Sequence, residues 1–201
     1  LKNQIILDTH KSHLILGKVK SSEALNELEK YLYKNKINNF YDKKEKLKFK
    51  LAYSRHDDET NKKQFKKIMN YYGDIKLKHK LLDYLLKKFE INMKPKDYYL
   101  NKKEIKYLVS LGMVIGSHSE SHTLLSRLSY KNQIKELKNS KIFLEKIVNK
   151  SVDTFCYPYG GKISYNNNTL KILKKLKYKL AYSVEYRDIS FKDIQKNPYE
   201  L

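Results

Sequence analysis

The chain has 201 residues, with 43 Lys and Arg against 22 Asp and Glu, a formal charge of +21, one cysteine and no tryptophan. That length suits one domain with a buried core, and an apolar share of 40% argues against wholesale disorder. The lone Cys156 excludes an internally stapled disulfide fold, and no stretch approaches the roughly 18–20 apolar residues of a membrane span.

Taken in chain order, Ile5-Ile6-Leu7-Asp8-Thr9-His10 could end a short strand, while His10, His13, Leu14 and Leu16 are equally compatible with a helix. Residues 22–37 predict a helix, with Ala24, Leu25, Leu28, Tyr31 and Leu32 on one side. A lysine-rich, weakly patterned stretch runs from Asn38 to Lys50. Residues 60–91 predict helix in two pieces, broken near Tyr72-Gly73-Asp74, with Leu77, Leu81, Leu82, Leu85 and Phe89 at helical spacing in the second. Asn101 and Glu104 form a capping-box-like start for a helix carrying Ile105, Leu108 and Val109, which Gly112 stops.

Met113-Val114-Ile115-Gly116 reads as a short buried strand that delivers Ser117-His118-Ser119-Glu120-Ser121-His122 at its C-terminal end. Ser129 caps the next helix, whose stripe is Tyr130, Ile134, Leu137, Leu144 and Val148. A strand over Val152–Tyr157 ends at Pro158-Tyr159-Gly160-Gly161, and a helix over 166–177 and a strand Leu180–Val184 follow. Helix alternating with strand is the grammar of parallel α/β units. There is no internal repeat and no low-complexity segment.

The charge raises nucleic acid or an acidic surface as partner. Arginine, however, appears only as Arg55, Arg127 and Arg187. Guanidinium forks are the usual tools for phosphate and base recognition, so the lysines read as solvated faces and nucleic-acid binding is not expected. It stays a second alternative, with lysines 40–50 as its contact stretch. The chain starts at Leu1 and shows no signal peptide; its simplest reading is as a piece of a longer protein, with the cytoplasm and the cell envelope both open.

His118 and His122, four apart at a strand's C-terminal end, can converge on one divalent cation, and zinc suits neutral imidazole nitrogens. Ser117, Ser119 and Ser121 could orient them, although a polar surface loop would look the same. Gly116 to Ser129 resembles the second motif of the polysaccharide deacetylase (NodB-like, carbohydrate esterase) family. Phe155-Cys156-Tyr157-Pro158-Tyr159-Gly160-Gly161 is similar to its third motif, and the likeness covers roughly residues 97–201. Leu7-Asp8-Thr9-His10-Lys11 looks like a segment of one branch.

The resemblance implies an α/β fold, a distorted (β/α) barrel incomplete in this chain, as one domain over 1–201 with a helical insertion at 20–95. It implies a metal-dependent hydrolase removing acetyl groups from N-acetylated sugars of a polysaccharide or glycan precursor. His118 and His122 would hold a divalent metal, zinc first, the backbone N–H of Tyr159 would hold the oxyanion, and Tyr157 would bind sugar.

The first motif, an Asp-Asp strand end supplying base and third ligand, is missing. Asp57-Asp58 reads instead as the polar lead-in of a helix, and Asp8 is a second outsider. The late histidine that would act as acid is also missing, since His10, His13, His56 and His79 all precede the metal motif. Cys156, where the family often has Arg, reads as a buried inert thiol, and Arg187 and Asp188 as a solvated pair. The alternative is a non-catalytic glycan-binding or assembly protein of the same fold.

Overall fold

A computed structural model describes residues 5–54, 57–185 and 187–201. The chain folds as two compact units, Lys2–Tyr98 and Tyr99–Leu201.

The first unit is helical: α1 (Asp8–Lys18), α2 (Ser21–Lys34), α3 (Lys43–Lys48), α4 (Thr60–Lys67) and α5 (Ile75–Lys88). The Asp8 segment takes the helical option, not the strand. Its helix is tied to α5 by charge: Lys11 Nζ lies 2.5 Å from Asp83 and 3.9 Å from Asp8, whose carboxylate also meets His79 at 2.9 Å and Lys78 at 4.0 Å. The stretch 38–50, weakly patterned in sequence, gains α3 because Asp42 accepts from the backbone N–H groups of Lys44 and Glu45. The break expected near 72–74 is a π turn over Ile68–Tyr72, all five residues buried. Gly73 closes it by donating to Ile68 O at 2.7 Å, in a spot where a Cβ would sit 2.6 Å from that oxygen. Asp74 then caps α5, accepting from Lys76 and Leu77 N–H at 2.8 Å each.

The second unit is α/β. It contains α6 (Lys102–Ser110), α7 (Tyr130–Val148), β1 (Thr154–Cys156), α8 (Asn167–Lys175), β2 (Leu180–Tyr182) and α9 (Phe191–Lys196). The expected caps form: Asn101 and Glu104 make a reciprocal box, and Ser129 accepts from Asn132 N–H. β1 and β2 pair in parallel, Thr154 with Leu180 through Cys156 with Tyr182. Beside β1, Ser117 makes a single parallel bridge to Phe155. Beside β2, Pro198–Leu201 exchanges backbone hydrogen bonds with Ala181 and Ser183. Inward side chains of β1 and β2 meet α7 and α8 in a core of Leu125, Leu137, Phe155, Tyr157, Ile172 and Ala181, among others.

Among the described residues two strands form, β1 and β2. One expectation is corrected. Met113–Gly116 is not a buried strand: the bridge to β1 forms at the following residue, Ser117, and Met113 and Val114 are 56% and 82% exposed. Among the described residues no helix is long and apolar enough to cross a membrane.

Candidate metal and oxyanion site

The site lies where two parallel segments of the second unit end, the end at which α/β folds gather their functional loops. Ser117, 1% exposed, anchors the first: its N–H donates to Thr154 O at 2.9 Å, and its hydroxyl meets Ser140 of α7 at 2.7 Å. Glycine at 116 suits the close approach of β1, since a Cβ there would lie 2.7 Å from Thr154 Oγ1.

The chain then turns outward into His118 and His122. The His118 ring is exposed, and its Nδ1 lies 2.8 Å from Cys156 O. Because a carbonyl can only accept, that contact places the proton on Nδ1 and leaves the Nε2 lone pair for a ligand. His122 is half-buried and its ring centroid is 4.8 Å from that of His118, at 69°. On its other flank, Tyr159 lies 4.9 Å away at 71°. Two loops thus meet: one from the Ser117 bridge, one from β1.

Both loops contain left-handed backbone. Ser119 (φ 64°), His122 (φ 55°) and Tyr159 (φ 65°) lie in the region L-residues avoid, at a cost on the order of 1–3 kcal/mol each. Gly160 (φ 69°) completes the second turn and is fixed there twice over, because a Cβ would meet Val184 at 2.2 Å. Tyr159 and Gly160 in succession aim the β1 loop back across His122.

The sequence-derived residues divide. His118, His122 and Tyr159 come together. Tyr157 does not join them: it is 1% exposed, stacked 4.0 Å from Tyr165, and its hydroxyl donates to Tyr199 O at 2.7 Å. Its expected place at the sugar is therefore corrected to the core, and burial pushes its hydroxyl pKa up. The missed signal was period two, since Phe155 faces inward and Tyr157 lies two residues on. Cys156, expected buried, is exposed on the opposite face of β1; partial burial still pushes its thiol up, away from a nucleophilic thiolate.

The acidic candidates are occupied elsewhere. Asp58 is clamped by Lys66 at 2.6 Å and Lys62 at 3.2 Å, and the hydrogen bond from Lys66 holds its carboxyl below the usual range. Asp8 belongs to the Lys11, Lys78 and His79 cluster. His56 and Arg55 lie outside the described residues. Arg187 is not paired with Asp188 through its carboxylate; it meets Asp193 at 3.2 Å and donates to Glu200 O.

The donor set fits two ligands of a divalent metal, with the His118 tautomer right for one of them. Among the described residues no group of three His, Cys, Asp or Glu side chains could close a metal site.

The sequence model described as polysaccharide deacetylase matches residues 79–181. YxkH of Bacillus subtilis (strain 168), provisionally named a polysaccharide deacetylase, is 27% identical over 88 residues, which are 44% of this chain and 30% of YxkH. Among solved structures, the Streptococcus pyogenes deacetylase PplD in complex with acetate is 25% identical, with a TM-score of 0.47, over 61% of this chain and 56% of that one. A BA3943 mutant, a CE4 family pseudoenzyme with restored enzymatic activity, is 22% identical with a TM-score of 0.37, over 40% of this chain and 29% of its own. The chain thus spans about a third of the curated relative and about half of PplD.

Proposed function

Because the chain belongs to the polysaccharide deacetylase family, we propose that it is part of a metal-dependent hydrolase removing acetyl groups from N-acetylated sugars of a polysaccharide or glycan precursor. One observation carries this reading: the His118, His122 and Tyr159 rings, from two separate loops, converge with centroids 4.8 and 4.9 Å apart.

In this reading His118 and His122 are two ligands of a divalent metal, zinc first. Such an ion lowers the pKa of bound water and polarises an acetamide carbonyl. His118 presents Nε2 because Cys156 O holds the other nitrogen. The Tyr159 backbone N–H is assigned to the developing oxyanion, in keeping with its place in a fixed left-handed turn beside His122. The general base, the acid and the third ligand are not assigned to any described residue. The fold is taken as part of a distorted (β/α) barrel over 1–201, with residues 20–95 as a helical insertion.

The test is acetate release from N-acetylglucosamine oligomers by the product of the complete reading frame, with zinc supplied. The expected result is activity that His118→Ala and His122→Ala each reduce at least about a hundredfold, as loss of a metal ligand does. Activity indifferent to both substitutions would overturn the assignment. A second reading, a non-catalytic glycan binder, draws support from the engagement of Asp8 and Asp58 with lysines. It predicts oligosaccharide binding without acetate release.

A further inference from the structure

The loop joining the two histidines has a second support that the resemblance does not supply. Among the described non-glycine residues with positive φ, Lys36, Glu90, Asn149 and Lys177 lie one or two residues past a helix end, where a left-handed residue is an ordinary stop. Ser119 and His122, like Tyr53 and Tyr159, follow no helix, and the first two fall within one span of four residues. Backbone of this kind persists only where its surroundings fix it.

One side chain of α7 reaches into this span. Glu136 Oε2 accepts from Glu120 N–H at 3.0 Å and from Ser121 N–H at 2.8 Å, while its Oε1 accepts from the Ser121 hydroxyl at 2.7 Å. One turn on, Asn139 Nδ2 donates to Glu120 Oε2 at 2.7 Å. Inside the loop, the His122 N–H donates to Ser119 Oγ at 3.1 Å. Every residue between the two histidines is thus held, and three of the bonds end on one carboxylate. Bonds from backbone N–H groups to an ionised carboxylate are among the stronger ones available.

We propose that Glu136 is a positioning residue: its carboxylate sets the left-handed 119–122 loop and, through it, the spacing of the His118 and His122 rings. The metal consequence rests on the function proposed above; the clamp itself does not. The geometry also distinguishes bonding from charge. A glutamine at 136 can accept from both N–H groups with its oxygen and donate to Ser121 Oγ with its amide, whereas alanine can do neither.

The experiment compares the wild-type chain with Glu136→Ala and Glu136→Gln by NMR. Hydrogen exchange is read at the Glu120 and Ser121 amides, contacts between the His118 and His122 rings by nuclear Overhauser effects, and zinc affinity by competition with a chromogenic chelator. Glu136→Ala is expected to speed exchange of those two amides at least about tenfold and to abolish the ring-to-ring effect, leaving β1 amides unchanged, while Glu136→Gln retains wild-type behaviour. Zinc affinity is expected to fall about 10- to 100-fold in the alanine variant alone. Unchanged exchange and ring contacts in Glu136→Ala, or protection lost throughout the unit in both variants, would overturn the clamp. A wild type that ignores zinc while Glu136→Ala still frees the loop would overturn the metal reading and leave the clamp standing.

Discussion

The two units of this chain solve the burial problem differently. In the helical unit, Ile15, Leu28, Phe65, Leu82 and Leu85 are fully enclosed, and even the amines of Lys11 and Lys78 are drawn inside and paired. In the α/β unit the core of Phe155, Leu137 and Ile172 is equally tight, yet Tyr107, Leu111, Met113 and Val114 face outward. Helices can close on one another with only a stripe each, whereas a parallel sheet needs cover on both faces and partners at both edges. The difference teaches that the α/β unit is organised around an end, where its loops meet, and less around its faces.

The largest test of that contrast is to empty each core in turn. Phe155→Ala should cost the α/β unit about 3–5 kcal/mol and Leu82→Ala the helical unit about 2–5 kcal/mol, because both side chains are fully buried. Hydrogen exchange resolved by residue checks both; a loss under 1 kcal/mol for Phe155 would show that the sheet's outer faces carry more of the fold than its core does. A smaller effect separates the caps: Asp74→Ala should cost about 1 kcal/mol, since it removes the partner of two α5 N–H groups, and urea denaturation measures it.

The smallest effect is one of pH. Partial burial holds His10 below its ordinary pKa of 6.5, and burial together with Lys66 does the same for His13. The unfolded chain therefore binds these protons more readily, so their contribution is complete above 6.5 and fades as pH falls through that value. Asp58, held low by Lys66, adds a loss of the same sign as pH falls below its ordinary 3.8. Helical amides should thus lose protection on mild acidification before strand amides do. The reverse order would break the assignment of these groups to the helical unit's stability.

How much of this was legible in the sequence varies with the physics involved. Asn101 with Glu104, Ser129 and the repeating leucines of α5 act over one or two turns, so they could be read directly. The α3 helix was missed because its signal is a single aspartate, Asp42, in a run of lysines; α9 was missed although Ser190 and Asp193 make a reciprocal cap. The exposure of Val114 could not be read, because an apolar run looks the same whether or not a neighbour covers it. At the site, the approach of the two histidine rings was legible from their spacing and their loop's support was not. Glu136 lies fourteen residues beyond His122, and only the fold returns it to Ser121.

The paired lysines of the helical unit give the chain a chemical clock. Forty of its 43 basic residues are lysine, and nearly all would react at once with an amine-labelling reagent in water. Lys11 and Lys78, only 5% and 6% exposed and held by Asp8 and Asp83, would have to wait for α1 and α5 to part. Followed by peptide mass spectrometry, the delay between their labelling and that of the other lysines measures how often those helices open, with no substitution to be introduced.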